Sequence, residues 1–175
     1  MLDGRPYRGA SGIGAEIGHM TVDVTGNPCS CGNVGCLEAM SSGTALGLYG
    51  RQAAAADPDG RLARLAGSPE LVTGQTVFLA AQEGDPTARS LFDRLGFWLG
   101  VGVASVVTAF DPQVVVIGGG LVATGELLLG PARASYERFV FARRHRELAP
   151  VVPARLGPEA GLVGAATLAL GPGGP

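Results

Sequence analysis

The run NPCSCGNVGCLE at residues 27–38 holds every thiol of a 175-residue chain: Cys29, Cys31 and Cys36. Three cysteines cannot all pair with one another, and a disulfide framework spreads its cysteines along a chain instead of crowding them into one loop. Thiols gathered in this way suit two kinds of chemistry. They are ligands for a soft divalent cation, or they form a redox-active loop. Gly32 and Gly35 stand between them, where the backbone must bend without steric cost. Cys-x-Cys is a less usual ligand pair than Cys-x-x-Cys, so spacing alone leaves the redox loop open. A tetrahedral zinc needs a fourth donor, and His19 is the nearest candidate. The other histidine, His145, sits among Arg143, Arg144 and Arg146, a poor place for a cation. The expected centre is therefore His19, Cys29, Cys31 and Cys36, closed by four protein ligands and hence structural.

Two further patterns could do chemistry. Glu16 and Glu38 bracket the loop, and a carboxylate can accept from two hydroxyls of a polyol at once. Taken alone, both are more simply read as solvated surface acids. The second pattern is VVVIGGGL at 114–121, a β-branched run ending in Gly118, Gly119 and Gly120. Such glycines let a backbone approach a nucleotide closely, and a following helix start favours anions, although a plain strand-to-loop turn would satisfy the same residues.

The elements that must position these groups read as an α/β pattern. Ile17 to Val24 alternates like a strand, and Leu37 to Ala56 has a helical pattern weakened by glycines. Residues 57–73 read as a connector with short helical pieces. Thr76 to Glu83 reads as a short helix started by Thr73 or Gln75. Asp85-Pro86 supplies an N-cap and a first-turn proline for a long helix to about Ala109, apolar enough to be buried all round. Val114 to Ile117 is expected as a buried strand, Glu126 to Arg143 as a helix, Val151 to Leu156 as a strand and Gly161 to Leu170 as a last apolar helix. With 46% apolar and 16% charged residues the chain is globular. Its net charge of −2 gives no field for gripping a phosphate backbone. No apolar run reaches the length that spans a bilayer, and MLDGRPYRG has no apolar signal core, so a reducing cytoplasm is expected.

The run CSCGNVGCLE resembles the CxCGxxGCxE signature of the ROK family of bacterial sugar kinases and sugar-responsive repressors, and GAEIGHMTVD at 14–23 resembles that family's ExGH segment. The resemblance extends to about Leu170. It implies an actin-like ATPase (ribonuclease H-like) fold. Residues 1–159 would be the C-terminal sugar- and zinc-binding domain of a two-domain kinase, 160–171 a terminal helix that packs on the N-terminal domain, and 172–175 a disordered tail. It further implies that Glu16, His19 and Glu38 bind the reducing-end hydroxyls of a hexose, that the zinc holds the loop beside the sugar, and that Gly118, Gly119 and Gly120 lie against ATP. Mg²⁺ would accompany the nucleotide, and the protein would be a homodimer.

The sequence departs from the kinase pattern in two places. It has no DxGxT phosphate loop, Asp3 being followed by Gly4-Arg5-Pro6. It also has no Asn-Asp pair to supply a catalytic base, its only asparagines being Asn27 and Asn33. No catalytic residue is therefore assigned. The chain reads as the C-terminal part of a sugar kinase, foremost a glucokinase, inactive alone. The alternative is the sugar-sensing domain of a repressor, the only reading that involves nucleic acid. A third is a sugar-binding remnant without catalysis. Leu162, Val163, Leu168 and Leu170 of the last helix are expected to form an exposed apolar patch.

Overall fold

A computed structural model describes residues 6–170. In chain order the elements are α1 (Leu37–Met40), α2 (Gly43–Ala56), α3 (Arg61–Ala66), α4 (Gly74–Gln82), α5 (Pro86–Phe110), β1 (Val115–Ile117), α6 (Glu126–Phe139), β2 (Val151–Pro153) and α7 (Ala160–Leu170). Asp3, Gly4, Arg5 and the tail at 172–175 lie outside the described residues.

Capping chemistry sets the helix starts. The Asp85 carboxylate accepts from the Ala88 N–H, and Pro86 opens α5 where a missing N–H costs nothing. Thr73 and Thr76 exchange side-chain and backbone bonds at the start of α4, a reciprocal capping box. The expected single helix from Leu37 to Ala56 is instead two. Ser41 leaves helical geometry and donates its hydroxyl to the Leu95 carbonyl of α5 at 2.9 Å, and Ser42 then caps α2 through the Ala45 N–H.

α5 is the spine. Leu46, Tyr49, Val72, Val77, Phe92 and Leu95 form one buried cluster on its first half. Val103, Val107, Tyr136, Val140 and Val151 form a second on its later half. α6 lies close along α5 because Gly96 and Gly100 carry no side chain. A Cβ on Gly100 would stand 2.5 Å from Ser135 Cβ and 2.7 Å from Tyr136 N, and one on Gly96 2.6 Å from Pro131 Cβ. By length and composition α5 is apolar enough to cross a membrane, contrary to the sequence expectation, but half of its most apolar stretch is buried in this core. Nor is it buried all round: Ser105, Ala109 and Phe110 are exposed.

Four other expectations need correction. Ile17–His19 is a 3-10 turn, not the start of a strand. Among the described residues the alternation there meets no partner strand, and beyond it only Thr21 forms a bridge, to Cys36. The run at Val114 to Ile117 is not fully buried. Among the described residues β1 pairs in parallel with β2 alone, Val115 opposite Val151, so the little sheet leaves Val116 55% exposed. α6 stops at Phe139 because Val140 turns extended and Ala142 is left-handed (φ 57°). β2 likewise ends at Pro153, short of Leu156.

Candidate metal centre and the cavities beside it

The cysteine loop doubles back on itself. Antiparallel bridges join Thr21 to Cys36 and Pro28 to Val34, and the Cys29 N–H donates to the Asn33 carbonyl at 2.8 Å. Gly32 (φ 93°) and Gly35 (φ 65°) turn in the left-handed region that glycine adopts freely. The fold-back brings the four expected ligands together. Cys29 Sγ lies 3.6 Å from His19 Nδ1 and Cys31 Sγ 3.6 Å from Cys36 Sγ, and all four donor atoms lie within 4.8 Å of one another. A tetrahedral centre with bonds of about 2.3 Å to sulfur has ligand edges near 3.8 Å, so this donor set fits a zinc ion. A histidine nitrogen turned to the thiols supplies the fourth donor that a closed metal centre needs.

Ionisation of the cluster is uneven. The Cys29 thiol is drawn down to about 6, chiefly by the Cys31 backbone N–H directed at it, with neighbouring thiols and His19 adding and desolvation opposing. Cys36 is pushed up to about 12, first by burial and then by the Cys29 and Cys31 thiols beside it. Three adjacent thiolates repel, and a divalent cation relieves that repulsion by taking the place of the protons. Metal uptake near neutral pH therefore displaces a proton from Cys36, and raising the pH favours it. Apparent zinc affinity is expected to climb about tenfold per pH unit between about pH 7 and 8 for each thiol still protonated. A competition titration against a chromophoric chelator would measure this, and a flat profile would contradict it.

Glu38, exposed on α1, places Oε2 4.0 Å from His19 Nδ1. With Nδ1 facing the thiols, the ring's Nε2 remains for a further partner. Glu38 also lines a cavity of about 340 Å³ with Asn27, Cys29, Ser42, Thr44 and Leu48. Glu16 is tied to the site by backbone, its carbonyl accepting from the His19 N–H at 3.0 Å. Glu16 lines a different, largely apolar groove of about 410 Å³ with Tyr7, Ile17, Met20, Val106 and Phe110.

Of the three strand-end glycines, Gly120 lines a third cavity, of about 270 Å³, and Gly118 and Gly119 precede it. Sequence reasoning missed the other walls of that cavity. Gly43 opens α2 and Gly74 opens α4, so two helix N-termini meet the glycine turn there. The signal was present in Ser42-Gly43 and Thr73-Gly74, a capping residue followed by glycine, but their convergence is tertiary. A Cβ at Gly43, Gly119 or Gly120 would meet nothing within 4 Å. Packing of the chain does not demand glycine at Gly43 or Gly120, and bare backbone faces the open space.

The sequence profile of the ROK family matches residues 1–171. A glucokinase of Streptomyces coelicolor is 41% identical over 168 residues, 94% of this chain and 53% of that protein. The crystal structure of a ROK family glucokinase from Streptomyces griseus, in complex with glucose and AMPPNP, superposes with a TM-score of 0.84 at 42% identity, covering 93% of this chain and 53% of that one. A ROK family transcriptional regulator, a homologue of the E. coli MLC protein, superposes with a TM-score of 0.71 at 30% identity, covering 87% and 37%. The chain spans about half the length of the curated glucokinases it matches.

Proposed function

The chain belongs to the ROK family, and from that premise we propose that it carries the hexose-binding, zinc-bearing part of a sugar kinase. The whole protein would be a glucokinase moving the γ-phosphoryl of ATP, with Mg²⁺, to O6 of glucose. The observation that carries the reading is Glu38, its carboxylate 4.0 Å from a histidine ring whose Nδ1 is turned to the thiols. Glu38 accepts from sugar hydroxyls, and His19 Nε2 supplies a donor whose direction is fixed from the far side of the ring; Glu16, which lines the separate groove, joins them only through the backbone bond to His19. A bound zinc would contribute closure of the loop and no step of the reaction.

The nucleotide side is supported by the cavity at Gly43, Gly74 and Gly120. Unpaired N–H groups at two helix starts suit phosphate oxygens, and the missing side chains admit them closely. Gly118 and Gly119 would lead the strand into the same contact. Without an Asn-Asp pair or a DxGxT loop in the chain, no group is assigned to take the proton from the attacking hydroxyl.

The zinc-loaded chain is expected to bind glucose by calorimetry, Glu38→Gln to lose at least about tenfold in affinity, and neither protein to turn over glucose with ATP and Mg²⁺. Absence of hexose binding at full zinc occupancy would overturn the sugar role. Measurable turnover would overturn the expected inactivity.

α7 gives this reading a physical consequence. No described residue of the helix is buried and all of 161–170 are exposed, with Leu162 at 75% and Leu170 at 60%. In the proposed kinase α7 packs on the half of the protein that this chain does not span. The isolated chain is expected to bind a hydrophobic dye such as ANS, and a double substitution Leu162→Glu, Leu168→Glu to reduce that signal by more than half, roughly in proportion to the apolar area removed. A monodisperse, dye-silent chain would refute the patch.

A second reading is the sugar-sensing domain of a repressor, favoured by the regulator's TM-score of 0.71 and by a Bacillus subtilis xylose repressor 26% identical over 97% of this chain. The coding sequence upstream of Met1 separates the two: a DxGxT loop marks the kinase, a helix-turn-helix the repressor.

A further inference from the structure

Asn27 lies two residues before the first metal-ligating cysteine and is itself no ligand. Its side chain reaches away from the loop to α1. The Nδ2 amide donates to the Ala39 carbonyl at 2.9 Å and to the Tyr49 hydroxyl at 3.1 Å, so both of its hydrogens are used. The amide orientation is dictated by its partner, because a carbonyl can only accept. Tyr49 is 1% exposed and passes the connection on, donating to the Met40 carbonyl at 3.1 Å. The Arg94 guanidinium of α5 covers the Tyr49 ring at 3.9 Å. Asn27's backbone completes the clamp, its N–H 3.2 Å from Met40 Sδ and its carbonyl accepting from the Gly35 N–H at 2.7 Å. Ala39 and Met40 directly follow Glu38, the carboxylate assigned to the sugar.

The geometry points to Asn27 as a positioning residue that joins the metal loop to the Glu38 helix, so that filling the metal site and fixing Glu38 are one event. The inference rests on the sugar role proposed for Glu38. Its physical content is a fork: one amide holds the two carbonyls after Glu38, directly at Ala39 and through Tyr49 at Met40. Ordering the loop at Cys29 to Cys36 sets the Asn27 backbone, and the side chain carries that order into α1. When the loop opens, the fork leaves with it, and four residues of helix have too few internal bonds to hold Glu38 in place.

Asn27→Asp tests this, because it keeps size and shape but replaces the amide's donors with an acceptor facing the Ala39 carbonyl. The charge it adds is controlled by Tyr49→Phe, which cuts the second prong of the fork without adding one. The readout is amide exchange at Met40 and Ser41, whose N–H groups bond to the Cys36 and Leu37 carbonyls, measured together with zinc stoichiometry and glucose affinity. In the wild type, stripping zinc with a chelator is expected to speed exchange at these two amides about tenfold. Asn27→Asp at full zinc occupancy is expected to show the fast rate already and to bind glucose about tenfold more weakly. Wild-type exchange in Asn27→Asp at full occupancy would overturn the coupling. If Asn27→Asp loses its zinc, Tyr49→Phe takes its place, since it leaves the loop sequence intact and cuts the fork at the second prong. Unchanged exchange there overturns the proposal, and faster exchange with zinc retained supports it. If the zinc-loaded wild type binds no glucose, the sugar role of Glu38 has failed, and exchange at Met40 and Ser41 still decides whether loop and helix are coupled.

Discussion

Cys36→Ser is expected to leave the chain without zinc and with at least a tenfold loss of whatever hexose affinity it has, about the effect of disturbing groups that orient a metal site. Of the three thiols Cys36 is the most deeply placed, with no exposed surface, while Cys31 is exposed. It is also the residue through which the loop joins the fold, bridged to Thr21 and forming the N-cap of α1. A serine hydroxyl in that position is a hard, neutral donor that does not ionise near neutral pH, so the centre falls to three ligands and loses its buried anion. The loop then has only its few backbone bonds to hold it. Elemental analysis after chelator treatment should find about one zinc per wild-type chain and less than about half an equivalent in the variant. The main thermal transition should persist, because the clusters around Phe92 and Val107 are built without loop residues. Retention of a full equivalent of zinc by Cys36→Ser would show that the four donors do not act as one site.

How much of this was legible in the sequence depended on how local its physics is. The start of α5 was readable because Asp85 and Pro86 act on the N–H groups just beyond them. The grouping of His19, Cys29, Cys31 and Cys36 was readable because their residue types and spacing limit the chemistry they can do together, and the fold brings the four donor atoms within 4.8 Å of one another. Ile17 to Val24 misled because its alternation is real but its hydrogen bonds are set by what opposes it. The Val22 N–H goes to the Gly35 carbonyl and the Leu37 N–H to the Met20 carbonyl, so the segment is one side of the metal loop and not a sheet strand. The break at Ser41 was hidden because its cause, the Leu95 carbonyl, lies 54 residues on. The end of α6 was hidden because Ala142 takes a left-handed turn where no glycine announces one. At the site, sequence set Glu16 beside His19, yet in the fold Glu16 and Glu38 line different cavities. The role of Asn27 needed the distance to Tyr49, which no spacing rule supplies.

Gly35→Ala should empty the metal site while leaving all four ligands in the chain. Gly35 sits at φ 65°, a conformation that costs an alanine about 1–2 kcal/mol on its own. The added methyl would also overlap the Asp23 carbonyl. Neither partner can yield cheaply. The Gly35 carbonyl accepts from the Val22 and Asp23 N–H groups, its own N–H is held by the Asn27 carbonyl, and the Asp23 carbonyl accepts from the Gly26 N–H at 3.1 Å. Moving any of these undoes the fold-back that carries Cys36 to Cys31. Strain and overlap together are expected to cost the closed loop on the order of 4 kcal/mol, enough to weaken metal binding by roughly a thousandfold. Gly32→Ala separates the two causes. Gly32 is also left-handed, at φ 93°, but a methyl there meets nothing within 4 Å, so this variant carries the strain alone and should retain most of its zinc. Competition with a chelator of known affinity measures both. Equal, small losses in the two variants would mean that the Asp23 carbonyl moves aside freely and that ligand spacing, not the backbone path between Asp23 and Gly35, is what makes the site. A loss confined to Gly35→Ala would mean that the loop must be shaped before the metal can hold it, with the glycine setting the geometry and the cysteines using it.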